Sequence, residues 1–165
     1  MTFQTQVNEF LAVGIPGEYA DASPRREAGY TLLSNTVDDV EYPPVVANAF
    51  TFSTDNAGYA QVGGSGVFAG VLVNPKQFAN YQGLNATLEL PSGSQGGLCT
   101  FGHIYVKPAT AYTIGSVAAF DTTTGAINAY DSSTDVPSGY TLIENAKFIK
   151  YSGEADTIAV LELGN

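Results

Sequence analysis

Apolar and polar positions alternate along this chain in short runs with a period of two, the spacing of half-exposed β-strands rather than of amphipathic helices. Residues 2–8 set the pattern, with Phe3, Thr5 and Val7 on one face and Gln4, Gln6 and Asn8 on the other. Gly14, Pro16, Gly17 and Pro24 then keep the chain from becoming helical, because proline removes a donor and glycine raises the entropy of ordering. From 14 to 46 the sequence reads as arm or loop, interrupted only by Tyr30-Thr-Leu-Leu33. Asp38, Asp39 and Glu41 precede Tyr42-Pro43-Pro44, and the two prolines hold that end extended. Such an arm finds its hydrogen-bond partners on another element or another chain.

Further on, strands are expected at 45–53, 57–62 and 66–73, separated by the turn signals Asp55-Asn56 and Gly63-Gly64. Asn74-Pro75 starts either a short helix through Tyr81, which Gly83 ends, or a loop. Residues 86–90 read as a strand, 91–97 as a flexible connector too small and polar to pack, and 98–106 as the clearest strand of all. Strands at 111–120 and 125–130 flank Asp121-Thr-Thr-Thr-Gly125, where glycine supplies the positive φ of a bulged hairpin. A last pair, 140–152 and 156–163, turns at Ser152-Gly153, and no period of 20–50 residues recurs. The expected fold is all-β: one compact β-barrel or β-sandwich at 45–165, preceded by an extended N-terminal arm and loop at 1–44.

Composition agrees with one such domain. At 165 residues the chain buries roughly 68–70 % of its unfolded surface without cross-links, and 44 % apolar residues in periodic runs argue against disorder. Six basic against sixteen acidic residues leave a formal charge of −10, which repels phosphate backbones and anionic lipid. Neither nucleic acid nor a membrane is an expected partner. The single cysteine, Cys99, forms no intramolecular bridge. No basic n-region with an apolar h-region and no membrane-length apolar window occurs, so synthesis and assembly in a cytoplasm are expected.

Candidate chemistry is thin. His103, the lone histidine, shares a strand face with Cys99, but four strand residues separate their Cα atoms by roughly 13 Å, too far for a nucleophilic pair. A buried cysteine and a histidine packed between Phe101 and Tyr105 is the simpler reading. No Gly-x-Ser-x-Gly elbow is present, and Gly64-Ser-Gly66 leads into a strand rather than the helix a phosphate loop requires. Asp121, Asp131 and Asp135 offer oxygen ligands for calcium, yet their spacing matches no EF-hand, and such residues commonly end strands by capping backbone. No catalytic residue, metal site or cofactor is therefore assigned. Arg25 and Arg26 stand out as an adjacent basic pair in an acidic arm; they are either solvated beside Asp21 and Glu27 or a guanidinium fork for a neighbour's carboxylate.

The run Phe3-Gln-Thr-Gln-Val7 followed by Pro16-Gly-Glu-Tyr-Ala-Asp-Ala-Ser-Pro-Arg25 resembles the opening of the capsid cement (decoration) proteins of tailed bacteriophages. Asn48-Ala-Phe-Thr-Phe52, Gly66 to Val73, Leu90-Pro-Ser-Gly93, Gly102-His-Ile-Tyr-Val106, and Ile114 to Phe120 with Thr124-Gly125 follow that family's order of β segments. The resemblance implies a non-enzymatic virion protein on the outer capsid surface, made in the host cytoplasm, that clamps neighbouring major capsid protein subunits and self-associates as a homotrimer. Its capsid-binding arm would use Phe3, Val7, Phe10, Tyr19, Pro24, Arg25 and Arg26. A tail or surface adhesin recognising a glycan through the loop 131–140 is the alternative, and a small polysaccharide-degrading enzyme a third.

Overall fold

A computed structural model of the chain describes residues 14–54, 57–75 and 88–164. Eleven strands lie within them: β1 (Arg26–Leu33), β2 (Asn35–Val37), β3 (Val40–Tyr42), β4 (Ala49–Phe52), β5 (Tyr59–Val62), β6 (Phe68–Leu72), β7 (Gln95–Val106), β8 (Val117–Asp121), β9 (Ile127–Tyr130), β10 (Tyr140–Ile149) and β11 (Ala159–Leu163). The one helical turn among these residues is 3-10, at Ser133–Asp135.

The all-β expectation holds, and barrel prevails over sandwich. β1, β5, β4, β6 and β7 pair in that order, and β1 pairs again with β7, closing the ring. β1 and β5 run parallel from Thr31↔Tyr59 to Leu33↔Gln61; the other barrel pairs are antiparallel. From β7 the sheet continues through β11, β10 and β8 to β9. Closure removes the barrel's unpaired edges. β7 serves both halves because it is 12 residues long: Gln95 to Phe101 pair with β1, and Gly102 to Val106 pair with β11. Leu32, Phe50, Leu72 and Leu98 of the barrel and Ile104, Phe148 and Leu161 of the extension are fully buried in one contiguous cluster. At roughly 1.5–3 kcal/mol for each large side chain buried, that cluster makes a single core.

The turn at 121–125 locks the extension to the barrel. Asp121 accepts the Thr123 and Thr124 amides at 2.6 and 3.0 Å, and Gly125 takes φ +72° to complete the hairpin, as its sequence predicts. Groups from β2 and from the ends of β4 and β5 meet this turn: Asn35 Nδ2 donates to the carbonyls of Thr122 (3.0 Å) and Thr123 (2.9 Å), Asn48 Nδ2 to Thr124 (2.8 Å), and the Gly64 amide to Thr122 (2.6 Å).

Several boundaries differ from those expected. Arg26–Leu33, expected within the arm and loop at 1–44, is a barrel strand with Leu32 fully buried. The supposed connector 91–97 enters the barrel at Gln95; Gly96 is needed there, since a Cβ would sit 2.6 Å from Leu32 Cδ1 and 2.9 Å from Leu72 Cδ1. The strand expected over 111–120 begins only at Val117, because Gly115 (φ +94°) and the Ser116 amide bonded to the Thr113 carbonyl form a turn first. The strand at 45–53 likewise starts at Ala49, after a turn with Ala47 at φ +66°. Of 86–90, Glu89 forms a single bridge with Val45. The strand expected at 2–8, and the helix or loop beyond Pro75, lie outside the described residues.

Candidate functional site

The segment from Gly14 to Arg25 opens on a turn, in which the Glu18 amide donates to Ile15 O (3.1 Å), and then runs with bends along the outer edge of the C-terminal half of β7. The Gly17 amide donates to Tyr105 O (2.8 Å), the Tyr105 amide to Glu18 O (2.8 Å) and the Ala20 amide to His103 O (2.9 Å), with Tyr19 opposite Ile104. Gly17, at φ +80°, is the only residue type that fits its place: a Cβ would lie 2.3 Å from Val46 Cγ1 and 2.8 Å from the Asn74 amide nitrogen. Four of the site residues read from sequence fall in or next to this segment. Tyr19 is half-buried, its hydroxyl donating to Glu27 Oε2 at 2.9 Å; burial first, and the Glu27 carboxylate second, push its ionisation above the usual tyrosine range. The Arg25 guanidinium lies 4.3 Å from the centroid of the Tyr19 ring, a contact worth roughly 0.5–1 kcal/mol at an exposed site. Pro24 and Arg26 are exposed, Arg26 at the start of β1. Phe3, Val7 and Phe10 lie outside the described residues.

Asp21 is the fixed point of the segment. Its carboxylate accepts Lys150 Nζ at 2.6 Å, His103 Nδ1 at 2.7 Å and the Ser23 amide at 3.0 Å, and it also takes the Ser23 hydroxyl. Lys150 foremost, then Ser23 and His103, hold its carboxyl well below the ordinary range. His103 Nε2 stands 3.7 Å from Glu162 Oε1 on β11. His103 therefore serves as a polar tether rather than as a residue packed between two rings. No sequence pattern could have announced this cluster, since its members lie 82 and 129 residues from Asp21.

The serine, histidine and aspartate gathered here are not arranged as a nucleophilic triad. Ser23 Oγ approaches the same ring nitrogen, Nδ1, that Asp21 occupies, at 3.3 Å, whereas a triad places nucleophile and orienting carboxylate on opposite nitrogens. Cys99 is fully buried, its thiol pushed up by desolvation and directed at the Phe101 carbonyl at 3.3 Å. Asp121 is engaged by its own turn, Asp135 accepts Ser132 Oγ at 2.7 Å, and no group of three potential metal ligands occurs among the described residues. The loop 131–140 is exposed around the 3-10 turn.

The family model described as "Structural cement protein (E217 gp24/Pam3 gp6)" matches residues 3–164. No curated protein matches. A chain from the structure titled "The capsid of Myoviridae Phage XM1" superposes with a TM-score of 0.65 at 14 % identity, covering 100 % of this chain and 99 % of that one, which shows a shared fold.

Proposed function

We propose, for a chain that belongs to the phage structural cement protein family, a clamp that binds the outside of the head and joins neighbouring major capsid subunits through its N-terminal segment. The cement role itself follows from the family, whose model spans nearly the whole chain. It places the protein on the virion capsid as a structural component. A ligand that binds only the assembled lattice stabilises it by the free energy of binding, multiplied over many copies. The role needs no catalysis, and the shared Nδ1 contacts of Ser23 and Asp21 support a non-enzymatic reading. Synthesis in the host cytoplasm and self-association as a homotrimer belong to the same proposal, as do Phe3, Val7, Phe10, Tyr19, Pro24, Arg25 and Arg26 as contact residues.

The observation that supports the clamp is the segment 17–20, whose backbone bonds along the edge of β7 fix the chain immediately C-terminal to residues 1–13. Removing residues 1–13 spares that anchor and β1, whereas removal through residue 29 would take half of a barrel strand with it. Co-sedimentation of the shortened chain with empty capsids is the test, with circular dichroism to confirm its β content. Binding should be abolished or greatly weakened; retention equal to that of the intact chain would move the attachment surface to the barrel. Arg26→Glu, which alters an exposed side chain, should weaken binding without unfolding.

A further inference from the structure

We propose that the cleft between the end of the N-terminal segment and β11 receives an arginine side chain of a major capsid subunit. The inference rests on the cement reading for the source of that arginine, and on this chain alone for the chemistry of the cleft. Ser23 and Pro24 line one side, Phe101 and His103 of β7 the middle, and Glu162 and Leu163 of β11 the other side, enclosing about 240 Å³. Two acceptors face each other across it. Asp21 presents an acceptor to His103 Nδ1 at 2.7 Å, so a ring carrying one proton holds it there and leaves Nε2 bare. Nε2 in turn stands 3.7 Å from Glu162 Oε1, too far for a hydrogen bond of their own. Among the described residues no lysine or arginine pairs with Glu162: Lys147, opposite it on β10, forms no salt bridge, and Lys150 is bonded to Asp21.

Chemistry selects the occupant. An N–H group set between Nε2 and Oε1 satisfies both, and a positively charged one also answers the unpaired carboxylate. A guanidinium carries donors on adjacent nitrogens in a fixed plane, whereas an ammonium is a point charge that holds its hydration. The rest of the lining is apolar. The Phe101 ring, 37 % exposed, offers its face to a guanidinium, and Pro24 and Leu163 suit a methylene stem. Neither arginine of this chain takes the place, since Arg25 lies on the Tyr19 ring and Arg26 does not line the cleft. A chain carrying −10 attracts a basic partner surface and repels a second copy of itself. An arginine seated here touches the segment and β11 together, so docking would also pin the segment to the sheet.

The ring of His103 reports on the cleft directly, because the lone histidine of the chain gives one set of imidazole signals in a magnetic resonance spectrum. N-acetyl-arginine amide titrated into the full chain should shift those signals saturably. N-acetyl-citrulline amide, of nearly the same shape without the charge, should leave them in place. Glu162→Gln should weaken the arginine probe about tenfold or more, the loss expected of one hydrogen bond to a charged group, whereas Glu144→Gln, which removes an exposed acid of β10, should not. In co-sedimentation with empty capsids Glu162→Gln should weaken binding to a similar extent, with its dichroism intact. No shift with the arginine probe, an equal shift with citrulline, or a shift that Glu162→Gln leaves unchanged would overturn the cleft as an arginine site. A probe that binds through Glu162, beside capsid binding that Glu162→Gln leaves intact, would overturn the capsid as the source. Failure of the wild-type chain itself to co-sediment would count against the clamp, and the probe titration would still decide the cleft.

Discussion

Asn35→Ala tests whether the barrel and the sheet extension are held as one unit by the 121–125 turn. Asn35 is 7 % exposed; its amide donates to the carbonyls of Thr122 and Thr123 and its Oδ1 accepts Gln61 Nε2 at 2.8 Å. After truncation the Thr122 carbonyl still accepts the Gly64 amide at 2.6 Å, but among the described residues no other donor reaches the Thr123 carbonyl, and the Gln61 amide loses its Asn35 acceptor. Three side-chain hydrogen bonds at roughly 0.5–1.5 kcal/mol each, with one carbonyl left orphaned in a part-buried site, come to about 2–4 kcal/mol. Against the 5–15 kcal/mol or so of a typical domain, the loss is large. Urea unfolding followed by far-UV dichroism should show the midpoint falling with the slope unchanged, because the surface exposed on unfolding is the same. Asn35→Asp should do more harm at neutral pH, since it sets a carboxylate against two carbonyls. A loss for Asn35→Ala below about 0.5 kcal/mol would refute the latch and make the turn a passive neighbour.

Gly96→Val should destabilise by about 1–3 kcal/mol in the same assay, because its side chain would enter the space of Leu32 and Leu72, both fully buried; an unchanged midpoint would mean that the barrel wall is loose there. Asp21, held below its ordinary 3.8 in the folded chain, contributes stability that is complete above that value and is lost as pH falls from it toward the lower folded value. The difference in melting temperature between wild type and Asp21→Asn should therefore shrink as pH falls below about 4; a difference that instead grows across that acid range would reverse the sign. Replacing Cys99 and His103 together by alanine should cost packing and tether contacts, about 1–3 kcal/mol, and abolish no hydrolytic activity on peptide, ester or glycan substrates. Any turnover lost with either residue would contradict the non-enzymatic reading.

Strands with a buried face were legible because alternation is written in their own residues: 98–106, 66–73 and the two at the C-terminal end all appear close to where they were expected. β1 was not, because its first four residues, Arg26-Glu27-Ala28-Gly29, present no buried side chain and gain their place only by pairing with β7. The glycines at 96 and 97 looked like a linker for a related reason. Their function is to leave room for Leu32, Leu72 and Glu27, and a missing side chain carries no pattern. The turns of the segment 14–25 answer to Gly14, Pro16 and Gly17, but its tether to His103 and Lys150 joins residues too distant in sequence for any local signal.

The placement of the anchor explains how a short segment can serve as a clamp. A strand laid along a sheet edge resists a pull along its axis with all its hydrogen bonds at once, whereas a pull across it opens them singly. Gly17, Glu18 and Ala20 each bond to β7, Asn74 adds a bond to the Gly17 carbonyl at 2.9 Å, and Asp21 ties the end to β7 and to Lys150. β7 is the strand that the barrel and the extension share, with Leu98, Cys99, Ile104 and Val106 fully buried. A load applied through residues before Gly14 thus reaches the part of the fold least able to open locally. Were the segment tied to the β2–β3 hairpin instead, a two-stranded ribbon with Val40 and Glu41 exposed, the same pull would peel a surface element and leave the lattice unheld.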